Sequence, residues 1–398
     1  MESIIDIKLC DVILTAEGNT MDIVQKTFSG QSRYGELDAL RGIAAFAVVI
    51  WHFVCATYTI PDKATNSFIM SLYLLTHGRA AVILFFILSG FVLSLPFLKE
   101  PRPGYAGFVI RRICRIYLPF VVLITFTIFV RTFVAIDKIP DYSDWFNDHC
   151  GDPFSLKIAL EHLFLVGNIH VMEYNNPVWS LIHEMRISLV FPLLFLFVFR
   201  VKPLYSIVAS LVLSVIALLN DVLGWETSNG WQTGYFYTLQ VTAFFIVGIL
   251  LARYREQVVR WFCGIKKRNK ILLLVVSCIL FRFSMEVWLA DKRLLLVSDW
   301  GTVLGACGIM AIALGSVKAS AVLKKPVFKF LGNISYSMYL NHITMLYLFI
   351  FLLHDNLPVP VILPIYIAAV IVFSAVTWRV IELPSIALGR VLSKMVGT

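Results

Sequence analysis

Stretches of about 20 apolar residues, the length a helix needs to cross a hydrocarbon core, recur from Leu37 almost to the C-terminus. Ten are read, near residues 37–59, 80–98, 116–135, 178–200, 204–222, 234–253, 271–290, 299–318, 332–353 and 359–381. Backbone polar groups in lipid must pair within the protein, so stretches of this length imply helices. The expected fold is therefore all-α and polytopic. Composition agrees, because 59% of the 398 residues are hydrophobic and only 15% charged, against about a quarter charged in soluble domains. No period of repeats is visible, so one membrane domain, 37–385, is expected between an N-terminal tail, 1–36, and a short C-terminal tail, 386–398.

The formal charge of +9 raises the prospect of nucleic acid, but its distribution speaks against that partner. Arg111, Arg112 and Arg115 fall in one connection, Lys266, Lys267, Arg268 and Lys270 in another, and Lys318, Lys324, Lys325 and Lys329 in a third. The intervening connections are poor in cations. The longest, about 136–177, carries Lys138 and Lys157 against Asp137, Asp141, Asp144, Asp148, Asp152, Glu161 and Glu173. This alternation is the positive-inside pattern with both termini cytoplasmic. Residues 1–36 carry Asp6, Asp11, Glu17 and Asp22 and lack the basic-then-apolar plan of a cleavable leader, so they read as a cytoplasmic tail. The seven cysteines are scattered without a CxxC pair or a His/Cys cluster, so neither a disulfide framework nor a metal site is expected. Two segments, 156–167 and 68–79, read as interfacial or re-entrant helices.

Charged groups that remain within a span usually face a cavity or a partner. In the first span Arg41 and His52 lie eleven residues apart, which is about 20° past three full turns and about 16 Å of rise, so both face one way. Asp38, one turn before Arg41, can orient it. Imidazole takes and returns a proton near neutrality, as transfer of an acyl group to a hydroxyl requires. A packing histidine with an arginine that snorkels to the headgroups explains the same spacing. The fourth span contains His183, Glu184 and Arg186. Counted at 1.5 Å per residue, Glu184 lies about 9 Å and His52 about 10 Å below the same face, so the carboxylate is expected to hold the imidazole. A structural pairing of Glu184 with Arg186 or His183 stays open.

Arg112 and Arg115 share a helical face beside Arg111, and guanidinium groups grip phosphates such as those of coenzyme A, although basic loops also serve only to set orientation. Arg282 and Glu286 are expected to pair with each other, and Ser89 and Gly90 to let helices approach. His342 and Glu382 read as headgroup-level polar residues.

Six ordered segments resemble the acyltransferase-3 family of membrane O-acyltransferases: LDALRGIAAFAVVIWHF, FFILSGFVL, RRICRIYLP, NNPVWSLIHE, LGNISYSMYLNH and IELP. The resemblance covers about residues 36–390 and implies a ten-helix fold with His52 as catalytic base and Arg41 required beside it. It also implies Arg112 and Arg115 as contacts to acyl-CoA and gives Glu184 a role. Where the family often carries a polar residue before its paired phenylalanines, this chain has Ile83 and Leu84. After Glu184 it has Met185, Ile187 and Ser188, with Arg186 and His183 added.

The expectation that follows is an O-acetyltransferase of the cell (inner) membrane. It takes an acyl group, acetyl foremost, from cytoplasmic acetyl-CoA or another acyl-CoA. It delivers that group to a hydroxyl of an extracytoplasmic glycan or glycolipid, in catalysis by His52, Arg41, Glu184 and Asp38, with the donor held by Arg111, Arg112 and Arg115. Association between copies of the chain stays open. The rival readings are a permease or exporter of a lipid-linked glycan, for which matching broken helices are absent from the sequence, and a sensor without turnover.

Overall fold

The computed structural model describes residues 34–134, 138–148, 150, 154–290 and 294–396, so nearly all of the expected N-terminal tail lies outside the described residues. Every regular element among the described residues is helical. The first part of the chain gives α1 (Gly35–Thr57), α2 (Lys63–Leu75), α3 (Gly78–Ser94), α4 (Tyr105–Arg112), α5 (Leu118–Phe133), α6 (Asp144–Asn147) and α7 (Leu156–His162). The middle gives α8 (Val178–Arg200), α9 (Pro203–Leu223), α10 (Tyr235–Arg253), α11 (Arg255–Gly264) and α12 (Lys267–Ala290). The last part gives α13 (Leu295–Gly315), α14 (Val317–Leu323), α15 (Pro326–Leu353), α16 (Val359–Thr377) and α17 (Leu383–Met395).

Among the described residues nine helical stretches are long and apolar enough to cross a membrane. The chain is thus an all-α polytopic membrane protein. The remaining expected span, 271–290, coincides with α12, which lies against α13 where Gly305 of α13 meets the backbone of Phe281. The two segments read as interfacial differ from the expectation. Residues 156–167 form only the short α7 before turning, and 68–79 is divided between the end of α2 and the start of α3. The stretch read as a C-terminal tail forms most of α17, whose Gly389 packs on Cys114.

Sequence chemistry explains the boundaries. The Asp62 carboxylate accepts from the Thr65 amide at 2.8 Å and starts α2. Pro203 and Pro326 occupy first-turn positions of α9 and α15. Gly224, at φ 66°, takes the left-handed conformation that ends α9. The surroundings invert the soluble pattern: α9 buries Ser206, Ser210 and Ser214, spaced by four, and exposes Leu204, Ile207, Val208, Leu211 and Val212. Small polar residues inside and aliphatic residues outside are what a lipid solvent selects.

Two interruptions shape the interior. Ile113–Tyr117 and Trp378–Glu382 are π-helical turns, the first leading into α5 and the second into α17. Each is followed two residues on by a proline, Pro119 and Pro384. Proline lacks an N–H and collides with the carbonyl four residues back, and a widened turn relieves both effects. Both π turns thus lead directly into a Leu-Pro pair, whereas Leu363–Pro364 sits inside α16 without one.

Helices α1 and α15 approach most closely at Gly42 and Gly332, where a methyl group on Gly332 would stand 2.5 Å from the Asp38 carbonyl. Far from this crossing a buried ion pair joins α3 to α13. The Arg79 guanidinium grips Asp299 through Nε at 2.9 Å and Nη2 at 3.0 Å, and also donates to Gln232 at 2.8 Å and to the Tyr237 hydroxyl at 2.8 Å. Gln240 donates to the same carboxylate at 2.9 Å.

Candidate active site

A cavity of about 500 Å³ opens at the end of the bundle that carries Arg111, Arg112 and Arg390. Helix α1 sends in Asp38 and Arg41, α3 Ser89, α8 Glu184, α15 Tyr336 and Tyr339, and α17 Arg390. Both π turns contribute, Arg115 from one and Trp378 and Glu382 from the other. Tyr336 ties one of them in place by donating to the Ile116 carbonyl at 2.6 Å. The lining holds five guanidinium groups, Arg41, Arg111, Arg112, Arg115 and Arg390, against the three carboxylates Asp38, Glu184 and Glu382. An apolar bundle has gathered an excess of two positive charges in one recess, which suits a polyanion.

The pairing inside it is uneven. Arg41 is held by Asp38 at 3.2 Å, the orientation expected from their spacing. Arg112, whose side chain is 10% exposed, donates to Glu184 at 2.8 Å and to the Ser188 hydroxyl at 3.1 Å. Ser89 also donates to Glu184, at 3.2 Å, so it does more than permit helix approach. Arg111 reaches Ser393 of α17 at 3.1 Å. Arg115 makes no hydrogen bond or ion pair with any described residue. The Arg390 guanidinium likewise has no side-chain hydrogen bond or ion pair with a described residue, so these two can take a ligand phosphate by a forked pair of hydrogen bonds.

The seven sequence-predicted residues divide into two groups. Asp38, Arg41, Arg111, Arg112, Arg115 and Glu184 line this cavity, and His52 does not. The expected hold of Glu184 on His52 is corrected, because the carboxylate serves Arg112 and Ser89 instead. Rise along a helix fixes height but not which neighbour a side chain faces. The His52 ring instead stands between His342 of α15, with Nδ1 3.1 Å from Nε2, and Trp145 of α6, whose ring centroid lies 5.5 Å away. Its Nδ1 also lies 3.0 Å from the Val48 carbonyl one turn earlier.

His342 and Glu382 are likewise corrected from headgroup-level residues. His342 is fully buried, and Glu382 is 3% exposed and accepts from Ser337 at 2.9 Å. A signal for His342 was present: GIAAFAVVIWH and GNISYSMYLNH both begin with the glycine of the helix crossing and end, ten residues later, in a histidine of the pair. Between cavity and imidazoles stand Phe85 and Tyr339, edge to face at 5.7 Å, with Tyr339 5.8 Å from His342.

The other charged candidates are structural. Arg186 donates to the carbonyls of Val166, Gly167, Thr233 and Gly234, tying two connections to α8. His183 bridges Thr238 and the Gln232 carbonyl. Arg282 pairs with Glu286 at 2.7 Å, as their spacing of four predicts. Among the described residues no group of three or more His, Cys, Asp and Glu is gathered to hold a metal.

Comparison with curated proteins and with solved structures gives no match. A family profile described as an acyltransferase domain matches residues 34–379, from the residue before α1 into the second π turn. It therefore takes in the whole α1 and α15 pair and every cavity-lining residue up to Trp378. With one profile running through the basic cavity and the paired imidazoles alike, the chain belongs to the acyltransferase-3 family of membrane acyltransferases.

Proposed function

We propose that this membrane acyltransferase moves an acyl group, acetyl foremost, from cytoplasmic acyl-CoA to a hydroxyl of a glycan or glycolipid on the far side of the cell (inner) membrane. The observation that carries this reading is the single recess in which Arg41, Arg111, Arg112 and Arg115 converge at the foot of the helix that bears His52. The phosphates of coenzyme A rest on Arg115 and Arg112, with Glu184 holding Arg112 in position and Asp38 doing the same for Arg41. The thioester arm passes Phe85 and Tyr339 toward the imidazole. The basic connections on the cavity side face the cytoplasm under the positive-inside rule, so both termini are cytoplasmic and the acceptor arrives from the acidic side.

The chemistry follows from the imidazole. The acceptor oxygen attacks the thioester carbonyl carbon while its proton passes to Nε2 of His52. The carbon–sulfur bond then breaks, and the departing sulfur takes the proton back to leave as the free thiol. Each turnover makes one ester and one coenzyme A thiol and returns His52 neutral. Purified protein given acetyl-CoA and a cell-surface glycan extract should release thiol and add an acetyl mass to the glycan. His52→Ala should lower that rate by about 10²- to 10⁴-fold. Undiminished turnover in His52→Ala would overturn the assignment.

A further inference from the structure

The geometry points to His342 as the positioning residue for His52, accepting a hydrogen bond from its Nδ1–H and stabilising the imidazolium formed when His52 takes the acceptor proton. The inference rests on the reading of His52 as the base.

The pairing is built into two helices along their length. Helices α1 and α15 meet at Gly42 and Gly332, and both reach the histidine pair ten residues further on, so they run parallel in matched register. Positions 42, 45, 49 and 52 on one and 332, 335, 339 and 342 on the other follow the alternating three-and-four spacing of a helix seam. Ala45, Val49, Ser335 and Tyr339 between them are buried. From α16, the Tyr366 hydroxyl donates to the His342 carbonyl at 3.3 Å and stands 3.5 Å from that of Val49, clamping both helices at this level. A side chain held this firmly fixes its neighbour's angle as well as its distance.

The backbone selects the tautomers. His52 Nδ1 lies 3.0 Å from the Val48 carbonyl, and His342 Nδ1 lies 3.2 Å from the Met338 carbonyl. A carbonyl only accepts, so each Nδ1 carries the hydrogen. His342 Nε2 then holds a lone pair, and at 3.1 Å it accepts from the same His52 N–H that Val48 shares. His52 Nε2 is left as its basic nitrogen. After proton transfer the shared hydrogen bond becomes charge-assisted, and it strengthens at the moment positive charge develops. Direct contact with substrate is not required of His342.

The test compares wild type, His52→Ala, His342→Phe and His342→Gln, with acetyl-CoA and a cell-surface glycan extract as substrates. Gln offers an acceptor oxygen near the position of Nε2, whereas Phe fills the space without one. His342→Phe should lower kcat about 10- to 100-fold with KM for acetyl-CoA little changed, the scale of a lost hydrogen bond to a charged group. His342→Gln should recover most of that loss. If His342→Phe does not fold, His342→Met takes its place. An inactive His52→Ala beside a fully active Phe or Met variant would overturn the role of His342 and leave His52 as base. Equal impairment of the Gln and Phe variants would overturn it too, since packing alone would then explain the site. An active His52→Ala would overturn the catalytic reading beneath both.

Discussion

Two buried charge clusters in this bundle have similar ingredients and opposite character. Around Arg79 every guanidinium nitrogen has a partner, and Asp299 accepts from both Arg79 and Gln240 in a space without accessible surface. Around Arg112 the carboxylate of Glu184 is 21% exposed, the walls enclose a cavity, and Arg115 has no described partner. Desolvating charge is costly in either place. In the first cluster protein atoms meet every guanidinium nitrogen and both carboxylate oxygens, and only Gln240 Oε1 lacks a partner among the described residues of the cluster. In the second the compensation is incomplete, which is the arrangement expected where a ligand supplies the rest. The difference teaches that an arginine within a span is not a functional signal by itself, and that its degree of satisfaction separates a structural clamp from a binding group.

The sharpest break is to remove one member of the closed cluster. Arg79→Met should destabilise the protein by about 3–5 kcal/mol, because Asp299 is left as an unpaired buried charge. Thermal unfolding in detergent measures this, and the double change Arg79→Met with Asp299→Leu should recover most of the loss. A single variant as stable as wild type would erase the distinction. In the open cluster, Arg115→Gln should leave the unfolding midpoint unchanged while raising KM for acyl-CoA by about 10- to 100-fold, the scale of a charge-assisted hydrogen bond. A lower midpoint with unchanged KM would make Arg115 structural.

Between these lies the helix crossing. Gly332→Ala places a methyl group against the Asp38 carbonyl and should cost about 1–3 kcal/mol of stability. It should also lower kcat by parting the imidazoles, so stability and turnover need measuring on the same sample. The smallest effect belongs to the acidic side. His170 donates to Glu161 at 2.7 Å and holds that carboxyl below its ordinary range. A depressed value means the contribution is present above the unfolded range and vanishes as pH falls through the folded value. Glu161→Gln should therefore lower stability by no more than about 0.5 kcal/mol at pH 7, and the difference should close in acid. A gap that persists there would mean that packing, and not charge, links the two side chains.

Much of this arrangement was legible in the sequence. Apolar length announces the spans because lipid leaves the backbone few alternatives. Six of the seven chosen site residues converge because Arg41, Arg112 and Arg115 are costly in hydrocarbon unless a cavity receives them. What stayed hidden depends on rotation about helix axes. Rise per residue gave Glu184 and His52 one height, yet Glu184 faces Arg112 while His52 faces His342. His342 was undervalued because polarity near the end of a span normally means headgroups, and only the register with α1 shows otherwise. Glu382 reads as a headgroup-level residue for a related reason: the stretch after it reads as a tail and instead returns as α17 to complete the cavity wall.

The turn at Ile113–Tyr117 also sets a phase. A π turn is equivalent to an α-helix that has accepted one surplus residue, and each residue advances a helix by about 100°. Excising a single residue there would let the chain close into an ordinary helix and swing Arg111 and Arg112 about a quarter turn relative to α5, away from Glu184. The donor grip proposed for this enzyme thus depends on a count as much as on chemistry. Shortened relatives lacking that residue would keep the same cations and present them to the wrong neighbour.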